Sequence, residues 1–176
     1  PDKTVMILEK AHFPRLHVGE VTLPGWSKII KRAGLLEKLD AAMPVKKAGV
    51  LFHWGPDPEQ GRWTADFRET KSGRPAEGSW HVERAVFDQI ALDHAKSLGT
   101  LAIEGATALG AKRIENGFEV EYDHDEQRNT VKAERIIDAS GQARLLARWW
   151  KLPVSRHEDL NNFAIYGYWK GSKIAE

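Results

Sequence analysis

The hydrophobic pattern changes period several times along the chain. Residues 5–8 are an unbroken apolar run closed by Glu9, the pattern of a strand buried on both faces of a parallel sheet. Residues 26–32 carry helical spacing, with Ile29, Ile30 and Ala33 expected inward and Gly34 as the stop; residues 35–42 give a second short helix with Leu36 and Leu39 on one side. Val50, Phe52 and Trp54 alternate as in a half-buried strand, and the Gly- and Pro-containing stretch 55–78 predicts a loop or ragged hairpin around Trp63 and Phe67. A short strand is expected at 79–83. The strongest helical stripe is Phe87, Ile90, Ala91, Ala95 and Leu98, running over 85–98 and stopped by Gly99. Strands at 101–103, 118–122 and 130–137 follow, with a turn at Asn116-Gly117 and a solvated charged tip at 123–129. A helix at 142–150 and an alternating strand at 163–169 complete the pattern.

This order predicts an α/β fold: a partial, doubly wound (Rossmann-like) parallel sheet with an antiparallel sheet inserted into it. The alternative is a plain α+β domain. The expected division gives 1–42 and 84–152 to the main domain and 43–83 and 153–176 to the inserted sheet.

Two strand ends carry candidate chemistry. Dinucleotide-binding folds place a carboxylate at the tip of a strand about 20 residues after a G-x-G-x-x-G turn, where it accepts hydrogen bonds from a ribose. Glu9 suits that role, although a strand reaching solvent also ends in Glu. After it, the loop Phe13-Pro14-Arg15-Leu16-His17-Val18-Gly19-Glu20 bends at Pro14 and Gly19, so backbone N–H groups can approach a ligand and Arg15 can reach a phosphate. The second end is Asp138-Ala139-Ser140-Gly141, where small residues before a helix permit close backbone approach. The same residues also suit a tight turn with Ser140 as an N-cap.

Composition narrows the function classes. A net charge of +1 argues against a dedicated nucleic-acid surface, and the absence of cysteine excludes disulfides, thiolate catalysis and Cys-ligated metal. It fits a reducing, cytoplasmic setting. No apolar stretch approaches the roughly 18 residues of a membrane span. No signal sequence is visible, and the start at Pro1 leaves the native N-terminus open. The histidines form no H-x-x-x-H pair, so no metal site is expected.

Glu9-Lys10, the Phe13-Pro14-Arg15-x-His17-x-Gly19-Glu20 loop, Leu23-Pro24, Val82-Glu83-Arg84-x-x-Phe87-Asp88 and Asp138-Ala139-Ser140-Gly141 together resemble the flavin-dependent halogenases. That family sits within the class A flavoprotein monooxygenases and geranylgeranyl-reductase-like proteins. The resemblance runs from about Val5 to Leu152. It implies FAD as cofactor, with Glu9 on the adenosine ribose and Lys10 beside it. It further implies Arg15 near the pyrophosphate or flavin, Gly19 and Glu20 at the isoalloxazine edge, Asp138 and Gly141 on the distal face, and Arg84 on the cofactor side. A salt bridge capping the helix is the alternative role for Arg84.

The resemblance also implies a lysine facing the channel from flavin to substrate. Lys47-Ala48-Gly49-Val50-Leu51-Phe52 fits the family's strand entry, with Lys46 as its neighbour. In the family, reduced flavin supplied by a flavin reductase, O2 and a halide ion yield hypohalous acid, which this ammonium hydrogen-bonds or converts to a haloamine. That chemistry needs a cation that is also a potential amine, which Lys supplies and Arg does not. A solvated lysine pair is the alternative. The implied substrate is a small electron-rich aromatic, free or presented by a carrier protein, and His53 with Trp54, Trp63, Trp80 and Trp169 are candidates to line its pocket. A monooxygenase, a geranylgeranyl-reductase-like flavoprotein and a non-catalytic module of the same fold are the alternatives.

The family's glycine-rich phosphate turn, its W-x-W-x-I-P segment and its distal glycine-rich segment are all missing from the 176 residues. The chain therefore reads as a fragment lacking the N-terminal G-x-G-x-x-G unit and the C-terminal part. Without that first unit the pyrophosphate loses its helix N-terminus. Titration of the isolated chain with FAD is expected to show binding weaker than micromolar; an affinity of about −8 kcal/mol or better would contradict this.

Overall fold

The computed structural model describes residues 3–57, 60–67, 79–155, 157–160, 162–168 and 170–171. The chain divides into two compact units, 1–109 with 120–131, and 110–119 with 132–176.

In the first unit, β1 (Met6–Glu9) pairs in parallel with β4 (Leu101–Glu104), in a register that sets Glu9 opposite Glu104. A parallel pair needs a long crossover, and here that crossover holds most of the unit. It begins with α1 (Trp26–Arg32) and α2 (Leu36–Ala42), continues through the antiparallel pair β2 (Gly49–His53) and β3 (Arg62–Asp66), and returns through α3 (Arg84–Ser97).

Segment 79–82 is hydrogen-bonded on both edges. On one side Thr22 N donates to Trp80 O (3.0 Å) and Val82 N to Glu20 O (2.8 Å); on the other Lys47 N donates to Ser79 O (2.8 Å) and His81 N to Val45 O (3.0 Å). The short strand expected at 79–83 thus forms as a pair of antiparallel bridges, Val21 to His81 and Lys46 to Trp80.

Two packed clusters fill the unit. Ile30, Leu35 and Leu39 form one and Met43, Trp80 and Val82 the other, and Leu36 and Phe87 lie against both. On α3, Phe87, Ile90 and Ala91 face the core as expected, whereas Leu98 is exposed and Leu92 is the buried residue. Ile29 is likewise exposed; α1 has only seven residues and buries Ile30 and Ser27 instead.

Three strands, β5 (Thr107–Ile114), β6 (Gly117–His124) and β7 (Gln127–Ala133), form a further sheet in that order. β5 is a strand that the sequence pattern does not announce, because Thr-Ala-Leu-Gly-Ala lacks both alternation and the β-branched density of a strand. The β6–β7 turn takes positive φ at Asp125 (52°) and Glu126 (61°), as a two-residue hairpin loop demands. β7 stops at Ala133 rather than reaching residue 137, because β6 begins at Gly117 and offers no partner beyond it. The expected strand at 163–169 is also absent among its described residues; Phe163 and Ile165 are exposed and no neighbouring backbone pairs with them. The helix expected at 142–150 is split into a 3-10 turn (Gly141–Ala143), Arg144 in the left-handed region, and α3's successor α4 (Leu145–Trp149). The architecture is mixed α/β, with a parallel pair and antiparallel sheets.

Leu39 is 2% exposed at the centre of the first cluster. Leu39→Ala is expected to lower stability by about 2–5 kcal/mol, through lost burial and a residual cavity, measured as a shifted urea midpoint with unchanged slope.

Candidate functional site

Ligands of α/β folds bind at the carboxyl ends of parallel strands, and in this chain two carboxylates stand there side by side in register. Each shapes the loop that leaves β1. Glu9 Oε1 accepts from Ala11 N (2.8 Å), and Glu104 Oε2 accepts from Phe13 N (2.7 Å). Lys96 donates to the other oxygen of Glu104 (2.7 Å). That ammonium, then the Phe13 amide, hold the Glu104 carboxyl below its ordinary range. Lys10, between these anchors, is exposed. No local pattern marks Glu104, because what it does depends on a loop more than ninety residues away.

The far end of the loop is fastened by α3. Arg84, at the first turn, grips Asp88 with two parallel bonds, Nε to Oδ1 and Nη2 to Oδ2, both 2.9 Å, and donates from Nη1 to Val18 O (3.0 Å). Arg15 approaches the same carboxylate at 3.6 Å and lies over the Phe13 ring. Gly19 is required here on two counts: its φ is +112°, and a Cβ would stand 3.0 Å from Arg84 Nη1. Glu20 follows, its carbonyl bonded to Val82. Thus Arg15, Gly19, Glu20 and Arg84 are gathered in one place. Asp88 holds the two arginines there, and its i,i+4 spacing from Arg84 was the available signal.

The two lysines have different surroundings. Lys46 pairs with Asp40 and lies over the Trp80 ring (4.4 Å to its centre), while Trp80 Nε1 donates to Asp40 Oδ1 (2.7 Å). The Lys46 ammonium is the main reason the Asp40 carboxyl sits below its ordinary range. Lys47 is half-buried, with its ammonium 5.2 Å from the Phe67 ring centre. Further along, the Phe52 ring is parallel to that of Trp54 (6.4 Å) and tilted against that of Trp63 (4.9 Å), the two tryptophans being exposed. Trp80 is buried beneath Lys46, away from any such exposed surface. Trp169 and the His53 side chain lie outside the described residues.

In the second unit Asp138 and Ser140 tie off the start of α4. Asp138 accepts from Ser140 N (3.0 Å), from the Ser140 hydroxyl and from Leu146 N (2.9 Å), and Ser140 Oγ accepts from Leu145 N (3.0 Å). Gly141 has φ +59° within this turn. The Ser140 hydroxyl, then the two amides, draw the Asp138 carboxyl below its ordinary value. Among the described residues no group of three or more His, Asp or Glu is gathered as for a metal ion, and no helix is long and apolar enough to cross a membrane.

Comparison with known proteins assigns the kinship. No family model matches the chain. It is 32% identical over 178 residues to a tryptophan 2-halogenase of Chondromyces crocatus, covering 98% of this chain and 32% of that protein. It is also 32% identical to a 1H-pyrrole-2-carbonyl-[peptidyl-carrier protein] chlorinase of Pseudomonas fluorescens, covering 92% and 39%. The crystal structure of CmlS, a flavin-dependent halogenase, superposes with a TM-score of 0.76 at 31% identity over 85% of this chain and 27% of that one. A flavoprotein/dehydrogenase of Cytophaga hutchinsonii does so with a TM-score of 0.76 at 26% identity, covering 88% and 38%. The chain spans about a third of the length of the curated relatives it matches.

Because the Asp138 carboxyl titrates below its ordinary value of about 3.9, its contribution to the turn is complete above that value and is lost as pH falls through the lower folded value. Amide exchange at Leu145 and Leu146 is expected to accelerate below about pH 4 relative to the general acid trend, and Asp138→Asn is expected to abolish that dependence.

Proposed function

With kinship to the flavin-dependent halogenases as its premise, we propose that the protein carrying this chain is an FAD-dependent halogenase that uses reduced flavin, O2 and a halide ion to halogenate an electron-rich aromatic. The observation that carries the proposal is similarity over almost the whole chain to proteins named as halogenases, joined to a loop built around Glu9, Gly19 and Arg84 at the carboxyl ends of parallel strands.

The residues present fit an FAD site. Gly19 lets the backbone turn at a φ of +112° and pass close to the Arg84 guanidinium. Glu9 keeps one carboxylate oxygen beyond its bond to Ala11 with which to accept from a ribose, and Lys10, Arg15 and Arg84 bring positive charge to the same loop. In this reading Glu20 lines the ring edge, and Asp138 holds the turn in which Gly141 and its neighbours contact the distal face. A doubly wound sheet is completed in the whole protein, residues 1–42 and 84–152 serve the cofactor, and 43–83 with 153–176 serve the substrate. Bound FAD supplies the activation of oxygen.

Lys47 is the residue that handles the oxidised halogen. Its ammonium donates a hydrogen bond to hypohalous acid, sharpening the halogen as electrophile; the aromatic C–H is replaced by C–halogen and water leaves. The exposed Trp54 and Trp63, with half-buried Phe52 beside them, offer flat apolar faces suited to a planar substrate. A phenol, an indole or a carrier-bound pyrrole fits that description, a flavin reductase provides the electrons, and the absence of cysteine suits the cytoplasm.

The test uses the protein at its natural length with a flavin reductase, O2 and chloride or bromide. Halogenated product is expected, and Lys47→Ala is expected to lower it by about 10²–10⁴-fold while consumption of reduced flavin continues. A hydroxylated or saturated product would instead favour the monooxygenase or reductase reading, to which the similarity to a flavoprotein/dehydrogenase gives some support. Absence of bound flavin would favour a non-catalytic module.

A further inference from the structure

Three charged side chains meet where the loop after β1 lies against α3, and the two arginines among them are not used alike. Arg84 spends its N–H groups on the protein: Nε and Nη2 on Asp88, both at 2.9 Å, and Nη1 on Val18 O at 3.0 Å. Arg15 spends none on any described residue. It approaches Asp88 Oδ2 to 3.6 Å, near enough for charge attraction and too long for a hydrogen bond. Its guanidinium lies over the Phe13 ring at 4.8 Å, a contact that needs no N–H group.

We propose that Asp88 is a positioning residue for Arg15, setting it as the arginine that meets a phosphate of the cofactor, while Arg84 serves to fix Asp88 and the loop. The inference rests on the reading of this loop as an FAD site. Two guanidiniums this close repel each other, and a shared carboxylate is what lets both stay. Asp88 Oδ2 is the shared oxygen: it accepts from Arg84 Nη2 and attracts Arg15. The Asp88 side chain is only 12% exposed, so solvent screens that attraction incompletely. Asp88 also follows Phe87, which packs against both core clusters, so the negative charge is placed by the core and not by the loop. One carboxylate against two guanidiniums leaves an excess of positive charge. Arg15, with its N–H groups unspent, is where an anion finds both charge and donors, and a planar guanidinium can take two phosphate oxygens at once.

The test titrates FAD into the flavin-free protein at its natural length and compares Asp88→Asn, Asp88→Glu, Arg15→Met and the double variant Asp88→Asn with Arg15→Met. Asparagine keeps the shape and still accepts from Arg84 while removing the charge. Asp88→Asn is expected to weaken FAD binding about tenfold, within the range of coupling between residues in contact, and Arg15→Met at least as much. The double variant is expected to bind no more weakly than Arg15→Met alone, because Asp88 acts through a side chain that is no longer there. Asp88→Glu keeps the charge and is expected to retain most of the affinity. A role confined to the loop, through Arg84 and Val18, instead gives losses that multiply in the double variant, and that result would overturn the proposal. So would unchanged affinity in either Asp88→Asn or Arg15→Met, or a loss in Asp88→Glu as large as in Asp88→Asn. Failure of the underlying reading looks different: the unaltered protein then binds no FAD.

Discussion

The central position of residues 79–82 is the constraint on which the first unit depends. This short segment carries hydrogen bonds on both edges, to 20–22 and to 45–47, and sends Trp80 and Val82 into the core between them. Its polar side chains are bonded as well: Ser79 donates to Thr22 O, and Thr22 Oγ1 accepts from Trp80 N, with both hydroxyls buried. The loop after β1 and the strand entry bearing the lysines, far apart in sequence, are therefore fastened to one backbone strip. α3 starts two residues later, so the Arg84–Asp88 clamp is set by the same strip.

Charge in this unit is used mainly to hold backbone in place. Glu9 and Glu104 capture amides of the loop, Arg84 captures a carbonyl, and Asp88 and Asp40 each draw in a cation. A loop with few ladder bonds of its own gains order in this way, at the cost of side-chain freedom. Catalytic and binding groups placed on loops need such support, because a misplacement of about 1 Å is enough to lose most of the benefit of orientation.

Much of this was legible in the sequence, for reasons that differ by element. α1 and α3 were readable because their apolar spacing and glycine stops are local. β1 was readable as an apolar run, and the loop from Phe13 to Glu20 by its residue types. β5 was not, since a strand of small residues shows itself only through its partners. Residues 135–138 and 163–168 carry strand-like patterns without a neighbouring backbone, and pattern without pairing gives no strand. Of the site, Arg15, Gly19 and Arg84 were visible as a set. The acids that organise them, Asp88 and Glu104, were not, because what they do depends on tertiary contact. The spacing of Lys47 from Gly49 and Phe52 set it apart from Lys46 in the sequence, but the partners of each needed coordinates: Asp40 and the Trp80 ring for Lys46, the Phe67 ring for Lys47.

The loop between β1 and α1 is tied unevenly. Its first part is held through the amides of Ala11 and Phe13, and its last part through Val18 and the tight approach at Gly19. Between them, Leu16 and His17 project into solvent, Leu16 being 75% exposed. Insertions or deletions among relatives have room at that crest without disturbing either anchored end. Natural variation in loop length, and any engineered peptide graft, is best accommodated there.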